Sequence, residues 1–143
     1  MRDFYVTITA TGTVYDRVNT PADFKTPSPW LQHLEGEWEC ALTEMSIECD
    51  FSPKSDRLYM CGDFLGESFI NGRIYPLLRN LETRGRYKKY LSERYIDHRY
   101  VRVRTSWQEY ARFHLLDEHF NPVTFTSDAK LHCVLHFKQR TSA

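Results

Sequence analysis

The stretch Leu131-His132-Cys133-Val134-Leu135-His136-Phe137-Lys138 decides the fold. Leu131, Cys133, Leu135 and Phe137 fall on one phase, and His132, Val134, His136 and Lys138 on the other. A period of two sends successive side chains to opposite sides of an extended backbone, so this segment predicts a strand with one buried face. At the other end of the chain Phe4, Val6 and Ile8 alternate in the same way with Tyr5, Thr7 and Thr9.

Working inward, Trp38, Cys40 and Leu42 keep the period, and the apolar phase then slips to Met45 and Ile47. A one-residue slip would turn the buried face outward, so a β-bulge near Thr43–Glu44 is expected. Residues 57–65 predict a further strand, with Leu58 and Met60 on one face and Tyr59 and Cys61 on the other. Asn71-Gly72 between Phe69-Ile70 and Ile74-Tyr75 is a two-residue hairpin signal. Tyr100, Val101 and Val103 suggest another strand. Ala111, Phe113 and Leu115 alternate with Arg112, His114 and Leu116, and Asn121-Pro122 marks a turn before a short strand at Val123–Phe125. Residues 16–35, with Pro21, Pro27 and Pro29, read as a loop or an edge-strand excursion, because proline cannot donate to a ladder. Residues 50–56 form a turn cluster. Residues 85–96 read as a short helix or a loop, with Tyr87, Tyr90, Leu91 and Ile96 as its apolar side.

About eight short strands without a long helix predict a sandwich or barrel, of which the jelly roll is one form. The 143 residues make one domain, 1–143, which buries roughly two thirds of its unfolded surface without a disulfide or metal staple. An aromatic content of 15% suits pleated, half-buried surfaces. No run approaches the ~20 apolar residues of a spanning helix. The MRDFYVTIT start lacks a secretory leader's apolar run, which predicts synthesis in a reducing compartment with the cysteines as thiols.

Net charge is zero but unevenly placed. Residues 1–72 carry five basic and twelve acidic side chains, and residues 73–104 ten basic and three acidic, a balance of −7 against +7. Either the fold pairs these segments within one chain, or they form complementary flanks for a head-to-tail contact between copies. The basic run at 84–104 opens with Arg84-Gly85-Arg86-Tyr87-Lys88-Lys89-Tyr90, whose cations and tyrosines suit phosphates and bases. An exposed basic loop is the reading preferred over a nucleic-acid contact.

Catalytic and metal chemistry find little footing. Cys40, Cys49, Cys61 and Cys133 lack the close spacing of structural zinc ligands. His132 and His136 lie about 13 Å apart in a strand, too far to share an ion. Cys40 and Cys133 fall on apolar phases, as small core residues do. Glu35, Glu37 and Glu39 share one strand face and read as a solvated acidic stripe. There is no nucleophile elbow and no glycine-rich phosphate loop. The expectation is a protein that is not an enzyme, with no catalytic, cofactor-binding or metal residues and no cofactor.

Several short motifs occur in order along the chain. Asp3-Phe4-Tyr5-Val6-Thr7 opens it, followed by Asn19, Thr20, Phe24 and Thr26 and then Leu34-Glu35-Gly36-Glu37-Trp38-Glu39 with Leu42 and Glu44. Tyr59-Met60-Cys61-Gly62-Asp63, Pro76-Leu77-Leu78-Arg79, Tyr100 with Val103, Asn121-Pro122-Val123-Thr124-Phe125 and Leu135-His136-Phe137-Lys138 complete the series. Together they resemble the minor capsid, or penton, jelly-roll proteins of Polinton (Maverick) elements and the adintovirus-like viruses related to them. The resemblance implies a single jelly-roll antiparallel β-sandwich of about eight strands. It further implies a pentamer at the vertices of an icosahedral capsid, with a major capsid protein as partner, and localisation in the virion. This chain departs from those proteins in having about 16 residues between Glu44 and Cys61, where they are considerably longer. A receptor-binding role carried by that insertion is therefore not carried over, and a trimmed or host-domesticated copy fits the same residues.

Two rival readings share the scaffold. One is a carbohydrate- or protein-binding β-sandwich using Trp30, Tyr87, Tyr90 or Trp107 as stacking platforms, against which Trp38 and Trp107 read as core anchors. The other is an enzyme with a cupin-like metal site.

Overall fold

A computed structural model of the chain describes residues 3–12, 22–32, 34–48, 51–52, 57–82, 90–104, 108–125 and 129–140. Among them the strands are β1 (Asp3–Gly12), β2 (Asp23–Pro27), β3 (Trp38–Glu48), β4 (Phe51–Ser52), β5 (Arg57–Gly62), β6 (Ser68–Ile70) and β7 (Arg73–Tyr75). They continue with β8 (Leu77–Glu82), β9 (Tyr90–Arg94), β10 (Val101–Arg102), β11 (Tyr110–Leu116), β12 (Thr124–Phe125) and β13 (Ala129–Gln139). One short helix, α1 (Pro29–Gln32), interrupts them. The fold is an all-β sandwich of antiparallel sheets.

The five-stranded sheet runs β1-β13-β3, and β3 then carries both β10 and β9 on its far side. The four-stranded sheet runs β2-β11-β5-β8. The alternation along β13 does what its period requires: Leu131, Cys133, Leu135 and Phe137 are fully buried. They meet Phe24, Leu58, Met60, Leu78, Phe113 and Leu115 of the opposite sheet in one core. Phe64 sits where the sheets converge, edge-on to Phe113 at 5.5 Å.

The slip at the middle of β3 is a bulge. Val134 faces Glu44 and Leu135 faces Leu42, so Thr43 is the extra residue. Its hydroxyl donates to the Val134 carbonyl at 3.1 Å, and its own carbonyl accepts the Tyr95 N–H at 2.9 Å. The bulge also divides β3 between two partners. β10 pairs with Glu39–Cys40 on one side of it, and β9 with Glu44–Glu48 on the other.

Asn71 and Gly72 turn the β6–β7 hairpin with φ of 49° and 77°, the left-handed pair of a type I′ turn. The 16–35 segment supplies an edge strand, β2, ending at Pro27. It then supplies α1, where Pro29 occupies the first helical position that proline favours. The 85–96 segment differs from expectation. Residues 90–94 are strand β9, neither helix nor loop; Ile96 is 99% exposed, and residues 85–89 lie outside the described residues. Leu91-Ser92-Glu93-Arg94 carries one apolar residue in four, so its edge position left no clear alternation to read.

Candidate functional site

The exposed side of the five-stranded sheet gathers a polar network that no local motif announces. β13 carries His136, 8% exposed, beside β1. The His136 ring meets the Tyr100 hydroxyl at Nδ1, 2.7 Å away, and the Asp3 carboxylate at Nε2, 3.0 Å away. Tyr5 stacks on the same imidazole with ring centres 4.5 Å apart. Lys138 places its ammonium 4.0 Å above the Tyr100 ring and 3.4 Å from Glu39, to which Arg140 also reaches at 3.9 Å.

Carboxylate, imidazole and hydroxyl stand in series, and burial holds the Tyr100 phenol above its ordinary value. The network is a polar clasp that joins the 98–100 segment to β13 and β1.

A concavity of about 620 Å³ is lined by Arg57, Arg79, Asn80, Glu82, Glu93, Tyr95 and Arg99. Arg79 is buried there. Its guanidinium lies 3.8 Å over the Tyr95 ring and donates from Nη1 to the Asp97 carbonyl at 2.7 Å. Burial, with Arg99 nearby, pulls its pKa below the ordinary value. Arg79 therefore belongs to the structure between the sheets, although the sequence alone counts it simply among the ten basic residues of 73–104.

The charged segments do not occupy opposite flanks. Arg94 of β9 sits opposite Glu44 of β3 and pairs with it at 3.0 Å, and Arg102 of β10 sits opposite Glu39. Among the described residues β9 and β10 of the basic segment thus adjoin β3 of the acidic one. The two segments therefore do not stand wholly on opposite flanks, which is the placement the head-to-tail contact required. Residues 83–89, which hold the rest of the basic run, lie outside the described residues.

The remaining sequence candidates fall into place individually. Cys40 and Cys133 are interior, and Cys61 is buried on the other side of the four-stranded sheet. Burial pushes the Cys61 and Cys133 thiols up to about 12 and Cys40 well above its ordinary value, far from the thiolate that metal binding or attack requires. Cys49 and Trp107 lie outside the described residues. Among the described residues no three of His, Cys, Asp or Glu gather closely enough to hold a metal. Glu35 and Glu37 are exposed but precede β3, and Glu39 on β3 is half-buried and paired with Lys138 and Arg140, so the three do not form one solvated strand stripe. Trp38 is buried, its indole N–H donating to the Glu35 carbonyl at 2.9 Å. Trp30 is no free platform either: it packs against Phe64 at 5.4 Å and Phe137 at 5.1 Å. Tyr87 lies outside the described residues, and of Tyr90 the backbone alone is described.

Exposed large apolar side chains lie elsewhere. Phe69 (77%) and Ile74 (52%) face each other across the β6–β7 hairpin, and Tyr5 (63%) lies on β1. No helix is long and apolar enough to cross a membrane among the described residues. No family model matches the chain, and no curated protein matches it in sequence.

Proposed function

We propose that this chain is a viral structural protein: a single jelly roll of the minor capsid kind, assembling as pentamers at capsid vertices beside a larger major capsid protein. The observation that carries this reading is the strand order. Taken along the chain, β1, β2, β3 and β5 fall alternately in the two sheets. β8 joins β5, the β9–β10 region returns to β3, and β11 and β13 insert between the earlier strands of each sheet. The five- and four-stranded layers, β1-β13-β3-β9/β10 and β2-β11-β5-β8, support a reading as two interlocked Greek keys.

Gly36, a motif residue of the resemblance, and Gly62, at the open position of its Cys-x-Asp string, also have local reasons to be where they are. Gly36 has a φ of +86°, which glycine adopts at least cost, and a Cβ on Gly62 would come within 2.8 Å of the Phe64 ring. A rigid subunit whose apolar residues close a sandwich, and whose polar cluster serves structure, is consistent with a role carried by assembly.

The test is the mass of the purified protein by light scattering at low and high salt. Five chains of 17.0 kDa give about 85 kDa. Loosening of the assembly at high salt would show that surface charges contribute to the contact between subunits. A 17.0 kDa particle at every concentration opposes the reading.

A further inference from the structure

Among the described residues the two main sheets have four edges, and three of them are protected. β2 is five residues long, carries Lys25 and ends at Pro27. β8 is bulged, with Leu78 inserted between the partners of Met60 and Cys61, and it turns Arg79 inward. The edge shared by β9 and β10 is broken at 95–100 and carries Arg94 and Arg102. Short length, bulges, proline and edge cations are the devices by which sheets avoid pairing with other chains.

β1 has none of them. It runs ten residues in unbroken register with β13, with no proline, lysine or arginine, and its one charge is Asp3 at the end. No described residue pairs with its other side. Its core-facing row is also less closed than its neighbours. Beside a buried Ile8, Phe4, Val6 and Ala10 remain half-buried, while the core-facing residues of β13 are fully buried and Phe24, Leu78 and Leu81 of the β2 and β8 edges are nearly so.

We infer that β1 is a docking edge for a second copy of this chain, pairing antiparallel with its own counterpart about a two-fold axis at Thr7. In an isologous pair each residue i faces 14 − i in that register. Phe4 then meets Ala10, Val6 meets Ile8, Tyr5 meets Thr9, and Thr7 meets Thr7. The largest core-facing side chain is matched to the smallest, two β-branched residues pair, and no charge faces a like charge. The half-buried row is covered by its own image. This contact is two-fold and stands independently of the fivefold ring proposed above.

The experiment is site-directed crosslinking of the full chain. Thr7→Cys is expected to form a disulfide-linked dimer under mild oxidation, since directly opposed strand residues are within disulfide reach. Wild type and Thr9→Cys form none, and a mixture of Tyr5→Cys with Thr9→Cys forms the mixed dimer. Thr7→Lys places two cations on the axis and weakens the two-chain contact on the order of tenfold in sedimentation. Thr7→Val, measured beside it with circular dichroism as a folding control, keeps it. Crosslinking no faster in Thr7→Cys than in Thr9→Cys, an unchanged association in Thr7→Lys, or capture of a different chain alone would each overturn the inference.

Discussion

The two outer faces of the sandwich are closed by different physics. Over the four-stranded sheet lies a second apolar cluster: Tyr59, Cys61 and Leu116, roofed by Ile70, Tyr75, Leu77 and Phe120. Phe120 stacks between Tyr59 at 5.1 Å and Tyr75 at 4.8 Å. The Asp117 turn holds it there, in a left-handed conformation with a φ of 64°. The Asp117 carboxylate accepts the His119 and Asn121 N–H groups at 2.8 and 3.1 Å. Over the five-stranded sheet there is no such roof among the described residues, and the Asp3–His136–Tyr100 clasp and the Lys138–Glu39 pair occupy the surface. One face is an extension of the core. The other remains open to solvent or to a neighbour, with β1 at its margin.

That contrast sets an order of expected effects. Tyr59→Ala removes a 9% exposed ring from the roofed face and should cost about 2–4 kcal/mol in urea unfolding. Tyr5→Ala, 63% exposed on the open face, should cost less than about 1 kcal/mol. Equal losses would erase the distinction between the faces. Asp117→Ala should cost about 1–3 kcal/mol, because two N–H groups lose their acceptor and the positive φ of Phe120 loses its support. His136→Ala should cost about 1 kcal/mol, since solvent can take over the Asp3 and Tyr100 contacts. A double-mutant cycle of His136→Ala with Tyr100→Phe checks that the loss comes from this bond.

The smallest effect expected is at the edge of the roofed sheet. Arg112 grips the Asp23 carboxylate with Nε and Nη2 at 2.9 and 2.8 Å. That hydrogen-bonded guanidinium, with His114 and Lys25 adding, holds Asp23 below its ordinary 3.8 against the opposing effect of burial. A depressed carboxyl contributes stability above its unfolded value and loses it as the pH falls through the folded one, so the contribution fades below about pH 4. Both partners are partly exposed, so Asp23→Asn should cost about 0.5 kcal/mol at pH 7 and almost nothing at pH 2. Stability curves at the two pH values decide it.

The contrast between the faces is partly legible in the sequence. Along 57–62 both phases are apolar, Leu58 and Met60 against Tyr59 and Cys61, and such a strand has to be covered on both sides. The bulge at Thr43 follows from a phase slip within one strand, and the Asn71-Gly72 turn from a local dipeptide. The clasp could not be read in this way. Asp3 and His136 are 133 positions apart, and a lone histidine on a polar phase looks solvated until its neighbouring strand is known. Arg79 was hidden for the same reason: its burial depends on Tyr95 and Asp97, brought across from the opposite sheet's edge. The charge asymmetry alone could not place its segments, because pairing of β9 and β10 with β3 is a matter of topology, which a running charge balance does not contain.

Electron-microscopic class averages of the concentrated purified chain test the proposed fivefold assembly most directly. Rings of five subunits, free or joined through their β1 edges, are expected. Particles with no ring, or rings of another symmetry, would contradict the proposal.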